Sequence, residues 1–304
     1  MDDLGLLHRG MSILDVGSSN LYSAAPDEIT RFLRKYGPKS IDGLEEFTGR
    51  LAAGSAYDPI RGGLNEAFAG ELFEKAGMAY LSIDIADGYK TRILDLNHEP
   101  LPRELEEQFS LVLNFGTSEH VLNQYNCFKV MHDATKVGGH IYHQLPAIGF
   151  TDHGYFTYTA RCFFDLARYN RYELVACWFE GPAGGNCVYD SLEACREEFP
   201  ALREALEHSV ATAQGRKIRA LDVPDISINV VCRKVRKRPF YGALESSTSV
   251  GTIPKDVTAM YAAGGSGIAT MPLKQRVARA LRSYPALYRI ARLVYRTATR
   301  IIAR

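Results

Sequence analysis

The stretch Ser12-Ile13-Leu14-Asp15-Val16-Gly17-Ser18-Ser19-Asn20 constrains the fold more than any other in the chain. An apolar run leads into an acid, a glycine and three small polar residues, the pattern of a buried strand that ends in a tight turn. Gly17 permits a backbone conformation that a side chain forbids, while Ser18, Ser19 and Asn20 keep the loop small and rich in hydrogen-bonding groups. In an open α/β sheet, the space beyond the carboxyl end of a first strand is where ligands bind.

The motif recurs along the chain. Tyr80 to Ile85 alternates into Asp84, and Arg92 to Asn97 does the same into Asp95. Phe109 to Phe115 is nearly all apolar, as expected of a central parallel strand covered on both faces, and it runs into Gly116-Thr117-Ser118-Glu119-His120. A helix is predicted over Val121 to Lys136, stopped by Gly138-Gly139, before a strand from His140 to Leu145 closed by Pro146. Then come a helix over Ala160 to Tyr169, a strand over Tyr172 to Phe179, a helical segment around Leu192 to Ala213 and a last strand over Ser227 to Val235. Alternating strands and helices predict a parallel, doubly wound α/β sheet.

Leu21 to Gly77 is longer than one crossover requires and is read as a helical insertion, with helical spacing over Asp27 to Tyr36 and Leu64 to Ala76. The expected organisation is a body over about residues 1–240, a Ser/Gly/Thr/Ala-rich linker over 245–272, and amphipathic helices over 273–304. That tail carries nine basic residues and no acidic one from Lys274 to Arg304; removing them from the net charge of +1 leaves −8 on the rest. An acidic body argues against nucleic acid as partner, whereas the basic tail suits an anionic membrane surface or a protein partner. No apolar run approaches the roughly 20 residues of a membrane span, and Met1-Asp2-Asp3 does not open a secretory signal, so the expected location is cytoplasmic, peripheral at the inner membrane face if the tail meets lipid. Six cysteines without a Cys-x-x-Cys pair indicate neither a zinc site nor a disulfide scaffold.

Four strand ends in one mouth suit a nucleoside-like ligand: a glycine turn for close approach, Asp84 with two oxygens for two ribose hydroxyls, and Asp95 with the backbone of Leu96 for an adenine edge. On Ile13-Leu14-Asp15-Val16-Gly17, Asp84, Asp95, the Leu111 to Val121 strand with Glu119-His120-Val121, and Val137-Gly138-Gly139-His140, the chain resembles the class I S-adenosylmethionine-dependent methyltransferases over about residues 11–180. The resemblance implies a Rossmann-like seven-stranded sheet, mostly parallel with an antiparallel last strand, and S-adenosylmethionine as cofactor, held by Asp15, Gly17, Ser18 and Ser19, by Asp84 and Ile85, by Asp95 and Leu96, and by Asn114, Phe115 and Gly116. It implies methyl transfer to an oxygen or nitrogen of a small molecule, with alignment supplying most of the acceleration. A sugar or glycan precursor would suit a tail at the membrane.

For the acceptor's proton the candidates are His153 and His120, with Glu119 as orienting acid; Tyr155, Phe156, Tyr158 and His143 are candidate substrate contacts. The chain departs from the family in having Gly17 alone in the first loop, with Ser19 at the place of a second glycine. Some quinone-biosynthesis relatives use a metal held by a further acid ahead of the Glu-His pair; Gly116 stands there, so no metal is expected. Two other readings remain: a non-catalytic binding or scaffold protein, favoured by the glycine-poor loop, and an NAD(P)-dependent oxidoreductase, disfavoured by the missing Gly-x-Gly-x-x-Gly.

Overall fold

The computed structural model describes residues 1, 4–58, 60, 64–181 and 225–241. The expected helical segment over Leu192 to Ala213, the linker 245–272 and the tail 273–304 lie outside the described residues. The strands are β1 (Ser12–Val16), β2 (Ala79–Asp84), β3 (Thr91–Ile93), β4 (Phe109–Phe115), β5 (Thr135–Ile148), β6 (Glu173–Glu180) and β7 (Ile226–Arg233). The helices are α1 (Pro26–Tyr36), α2 (Leu44–Gly54), α3 (Ala69–Lys75), α4 (Gln124–Ala134) and α5 (Ala160–Asn170). All seven strands join one sheet in the order β3-β2-β1-β4-β5-β7-β6. The first five pair in parallel, and β7 runs antiparallel to both β5 and β6. Among the described helices none is long and apolar enough to cross a membrane.

The sheet is covered on both faces, which is why β4 reads as a continuous apolar run. Successive strand residues point to opposite faces. Leu14, Val16 and Val112 pack with Met131 of α4 and Phe163 of α5, while Ile13, Leu111 and Leu113 pack with Ile29, Leu33, Leu51 and Phe73 of α1 to α3. Helix α1 is strongly amphipathic, with Pro26 in its first turn and acids at Asp27 and Glu28. Helix α2 was not expected: its sequence, LEEFTGRLAAG, carries two glycines, and burial of Leu51 holds it.

Several boundaries differ from expectation. Leu64 to Phe68 is not helical but loops back onto the first turn, where Asn65 Nδ2 donates to Leu21 O at 2.6 Å and Ala69 N donates to Ser19 O at 2.9 Å. Helix α4 begins only at Gln124, where the Asn123 side chain caps it by accepting from Asn126 N at 3.1 Å. It ends at Ala134, before the two glycines, and Gly138-Gly139 instead lie in an irregularity of β5 between the pairs Phe109–Thr135 and Leu111–His140. Gly138 has φ +85°, and a Cβ on Gly139 would lie 3.0 Å from the carbonyls of Phe109 and Ser110. Pro146 does not end the strand; it pairs with Ser227 beside a register shift, a place where a missing N–H is tolerated.

Candidate functional site

The first turn is tied from below. Asp15 is fully buried and accepts from Ser19 N at 3.0 Å, Ser19 Oγ at 3.0 Å and Tyr80 OH at 2.8 Å. Burial pushes its carboxyl up to about 6, against the pull of these three donors. Gly17 has φ +96°, and the close approach it permits is made by Thr117, whose Oγ1 lies 2.1 Å from where a Cβ would stand. Ser19 is thus an inward strut, and Asp15 shapes the loop from inside instead of facing the mouth.

Asp84, at the end of β2, is half-buried and bound to the same turn. Its Oδ2 accepts from Ser18 N at 3.1 Å and its Oδ1 from Ala86 N at 3.0 Å, leaving each oxygen a further lone pair for a hydroxyl donor. Ser18 Oγ in turn accepts from Tyr89 N at 3.0 Å. Ile85 follows with 70% of its surface exposed, an apolar side chain left uncovered at a strand end. Strand β3 is only three residues, so Asp95 and Leu96 sit in the loop beyond it. Asp95 is engaged by its own loop, accepting from Asn97 N at 2.8 Å and lying 2.8 Å from His98 Nδ1; the His98 contact, then Asn97, holds its carboxyl below the usual range. The Leu96 side chain is in the core and its carbonyl accepts from Asn126 Nδ2 at 2.9 Å, so of its backbone the N–H is the group left for a ligand edge.

Three further expected contacts are structural. Asn114 is fully buried; its Oδ1 accepts from Ser118 N at 3.1 Å, and its Nδ2 donates to Ser118 Oγ at 2.9 Å and to His143 Nδ1 at 3.0 Å. Nδ1 of His143 being the acceptor places the proton on Nε2. Packed against Phe128 and Phe163, His143 is pushed by burial down to about 3 and stays neutral, so it belongs to the core and not to the open mouth. Tyr158 is 5% exposed; its hydroxyl donates to Gln124 Oε1 at 2.8 Å and lies in hydrogen-bond contact with Ser118 Oγ at 3.0 Å. These residues fix the course of the segment after β4. Phe115, half-buried, packs edge-on against Tyr142 with ring centroids 4.9 Å apart.

That fixed segment presents Glu119, His120 and, across the mouth, His153. Glu119 lies in a short 3-10 turn with no exposed surface, and Gly154 packs on it so closely that a Cβ would lie 2.9 Å from Glu119 Cγ. Tyr155 N donates to Glu119 O at 2.8 Å, welding the loop after β5 to the end of β4. His153 Nε2 stands 3.4 Å from Glu119 Oε1, and the His120 and His153 rings meet edge to face with centroids 4.8 Å apart. Burial raises the Glu119 carboxyl above the ordinary range and lowers His120. Gly116, at φ +74°, puts no side chain over Glu119. Tyr155 is 73% exposed and Phe156 half-buried beside this cluster. Tyr80, Tyr89, Thr117 and Gly154 shape the mouth but carry no sequence signal beyond their residue type. A shallow groove of about 610 Å³ between α1 and α2 includes none of the strand-end residues.

No family model and no curated protein matches the chain. Among solved structures it is similar to the Burkholderia thailandensis 1,6-didemethyltoxoflavin-N1-methyltransferase, with 9% identity over 77% of this chain and 74% of that one and a TM-score of 0.37. The phosphoethanolamine N-methyltransferase 2 of Haemonchus contortus gives 13% identity over 77% of this chain and a TM-score of 0.34; the chain spans 51% of that enzyme. The [4+2]-cyclase SpnF gives 12% identity over 77% and 78% of the two chains and a TM-score of 0.35. Likenesses this distant carry no argument about the site. With its sheet order, its antiparallel β7 and its helices on both faces, the chain has the Rossmann-like, doubly wound seven-stranded fold that was expected of it.

Proposed function

We propose that the chain is an S-adenosylmethionine-dependent methyltransferase acting on an oxygen or nitrogen of a small molecule. One observation carries the reading: the Asp84 carboxylate at the end of β2 is hydrogen-bonded to the Gly17-Ser18 turn at the end of β1, with a lone pair left on each oxygen. That pairing offers a nucleoside's ribose two acceptors beside a tight turn, and the uncovered Ile85 next to it offers an apolar surface for the base. Of the residues expected to hold the cofactor, Ser18, Asp84, Ile85, Asp95 and Gly116 keep that role in the proposal. Asp15, Ser19 and Asn114 support it from behind. The activated methyl is already on a good leaving group, so the protein's part is alignment, which supplies effective molarities of about 10⁵ M or more in intramolecular models. Glu119, His120 and His153 share the same end of the sheet and are the groups placed to weaken the acceptor's hold on its proton.

A second reading, a non-catalytic binding protein, is favoured by the tight seat of Thr117 on Gly17, which occupies space that a glycine loop would otherwise leave open. Calorimetric titration with S-adenosylhomocysteine, with NAD as control, tests the proposal. Saturable binding of the first alone, weakened about tenfold or more by Asp84→Ala, is the expected result. Binding of NAD, or of neither, would overturn it.

A further inference from the structure

We infer that Glu119, His120 and His153 form a binding site for a divalent transition-metal cation. The buried Glu119 side chain points to it first: among the described residues neither carboxylate oxygen accepts a hydrogen bond. A buried carboxylate without donors is costly, and a cation is what such a group is built to meet. Its ion-pair neighbour, His153 Nε2, stands off at 3.4 Å. That is too long for a charge-assisted hydrogen bond of about 2.7–2.9 Å, but it matches the ligand-to-ligand edge of about 3.3 Å in a tetrahedral site with bonds near 2.0 Å.

The ligand atoms of all three residues lie within 4.8 Å of one another. The two imidazoles are exposed and the carboxylate beneath them is buried, so closing the remaining distance falls to the histidine side chains. Two glycines make the arrangement possible. Gly154 lets the His153 loop lie on Glu119, where a Cβ would come within 2.9 Å of Cγ, and Gly116 places no Cβ against Oε1, which one would meet at 3.5 Å. The absence of an acid at position 116, which weighed against a metal in the sequence, is answered by His153, delivered from 34 residues beyond Glu119 by the β5 crossover. Two imidazoles and one carboxylate favour Zn²⁺, Co²⁺, Ni²⁺ or Fe²⁺ over Mg²⁺ or Ca²⁺, and three protein ligands leave a coordination position open.

This deepens the methyltransferase reading and, in naming the acceptor, rests on it: the acceptor is a hydroxyl compound whose oxygen takes the open position. Coordination lowers the hydroxyl's pKa, and its proton leaves to water. The oxygen then attacks the methyl carbon; the new O–C bond forms as the C–S bond breaks, and that electron pair neutralises the sulfonium to the thioether of S-adenosylhomocysteine.

The full chain, stripped with EDTA and dialysed, is titrated with CoCl₂ and followed by visible absorption. One equivalent of Co²⁺ with ligand-field bands, displaced by ZnCl₂ and shifted by the oxygen chelator acetohydroxamate, is expected. Glu119→Gln and His153→Ala should each weaken Co²⁺ binding by more than about tenfold, and His120→Ala, at an exposed position, does so without risk to the core. Featureless binding, or equal affinity in the wild type and all three variants, would overturn the site. Bands that acetohydroxamate leaves unchanged would overturn the open position and the hydroxyl acceptor. S-adenosylhomocysteine calorimetry on the same samples separates the two claims. Cofactor binding without Co²⁺ binding removes the metal alone, and Co²⁺ binding without cofactor removes the hydroxyl acceptor and the methyltransferase reading while keeping the site.

Discussion

Tyr80→Phe removes one hydroxyl from the buried group under the first turn and leaves the ring, which stacks on Phe73 with centroids 6.2 Å apart. The lost bond is the 2.8 Å donation to Asp15 Oδ2. Asp15 is pushed by burial from 3.8 to about 6 in the fold, so the folded state binds more protons than the unfolded one between those values. Its contribution is therefore fully present below pH 4 and is lost as pH rises through 6, a change of about 3 kcal/mol. Above pH 6 the carboxylate is charged, and a hydrogen bond to a charged group is worth about 1.5–3 kcal/mol; below it the neutral bond is worth about 1 kcal/mol. Urea unfolding of the wild type and Tyr80→Phe at pH 5 and pH 8 reads the difference. The variant should lose about 1 kcal/mol at pH 5 and about twice that or more at pH 8. Equal losses at the two pH values would refute the idea that a strained, buried carboxylate holds the turn.

Other consequences follow from the same packing. Gly17→Ala meets both a left-handed backbone and Thr117 Oγ1 at 2.1 Å, so it should cost about 2 kcal/mol or more, part of it recovered in the Gly17→Ala/Thr117→Ala double variant when melting temperatures are compared. His143, pushed by burial to about 3, and His132, pushed by burial to about 4, are neutral in the fold. Because both values lie below the ordinary 6.5, stability is present above that pH and is lost as pH falls through it. His143→Phe should flatten this acid loss by about 3 kcal/mol between pH 6.5 and 4 in urea titrations, and an unchanged slope would contradict the assignment.

Strands whose residues are buried on both faces were legible because burial leaves a compositional trace: β1, β2 and β4 appear in the sequence within a residue or two of their places. Glycines were less legible, since the same residue ends helices and kinks strands; Gly138-Gly139 does the second, for reasons supplied by the neighbouring strand. Depth was not legible at all. Asn114, His143 and Tyr158 have the residue types of a site and the positions of one, yet they point inward, Asn114 bonding directly to His143 and through Ser118 to Tyr158. Conversely, Glu119, His120 and His153 were each identified, but the contact between Glu119 and His153 depends on a backbone approach that only Gly154 permits.

The central claim is that the mouth beside Gly17 and Asp84 receives the cofactor, and hydrogen exchange read by mass spectrometry tests it where it is made. With saturating S-adenosylhomocysteine, slower exchange is predicted in peptides covering residues 16–20, 84–89 and 94–98 relative to the free chain. Unchanged exchange in all three, or protection confined to the α1–α2 groove, would contradict the account.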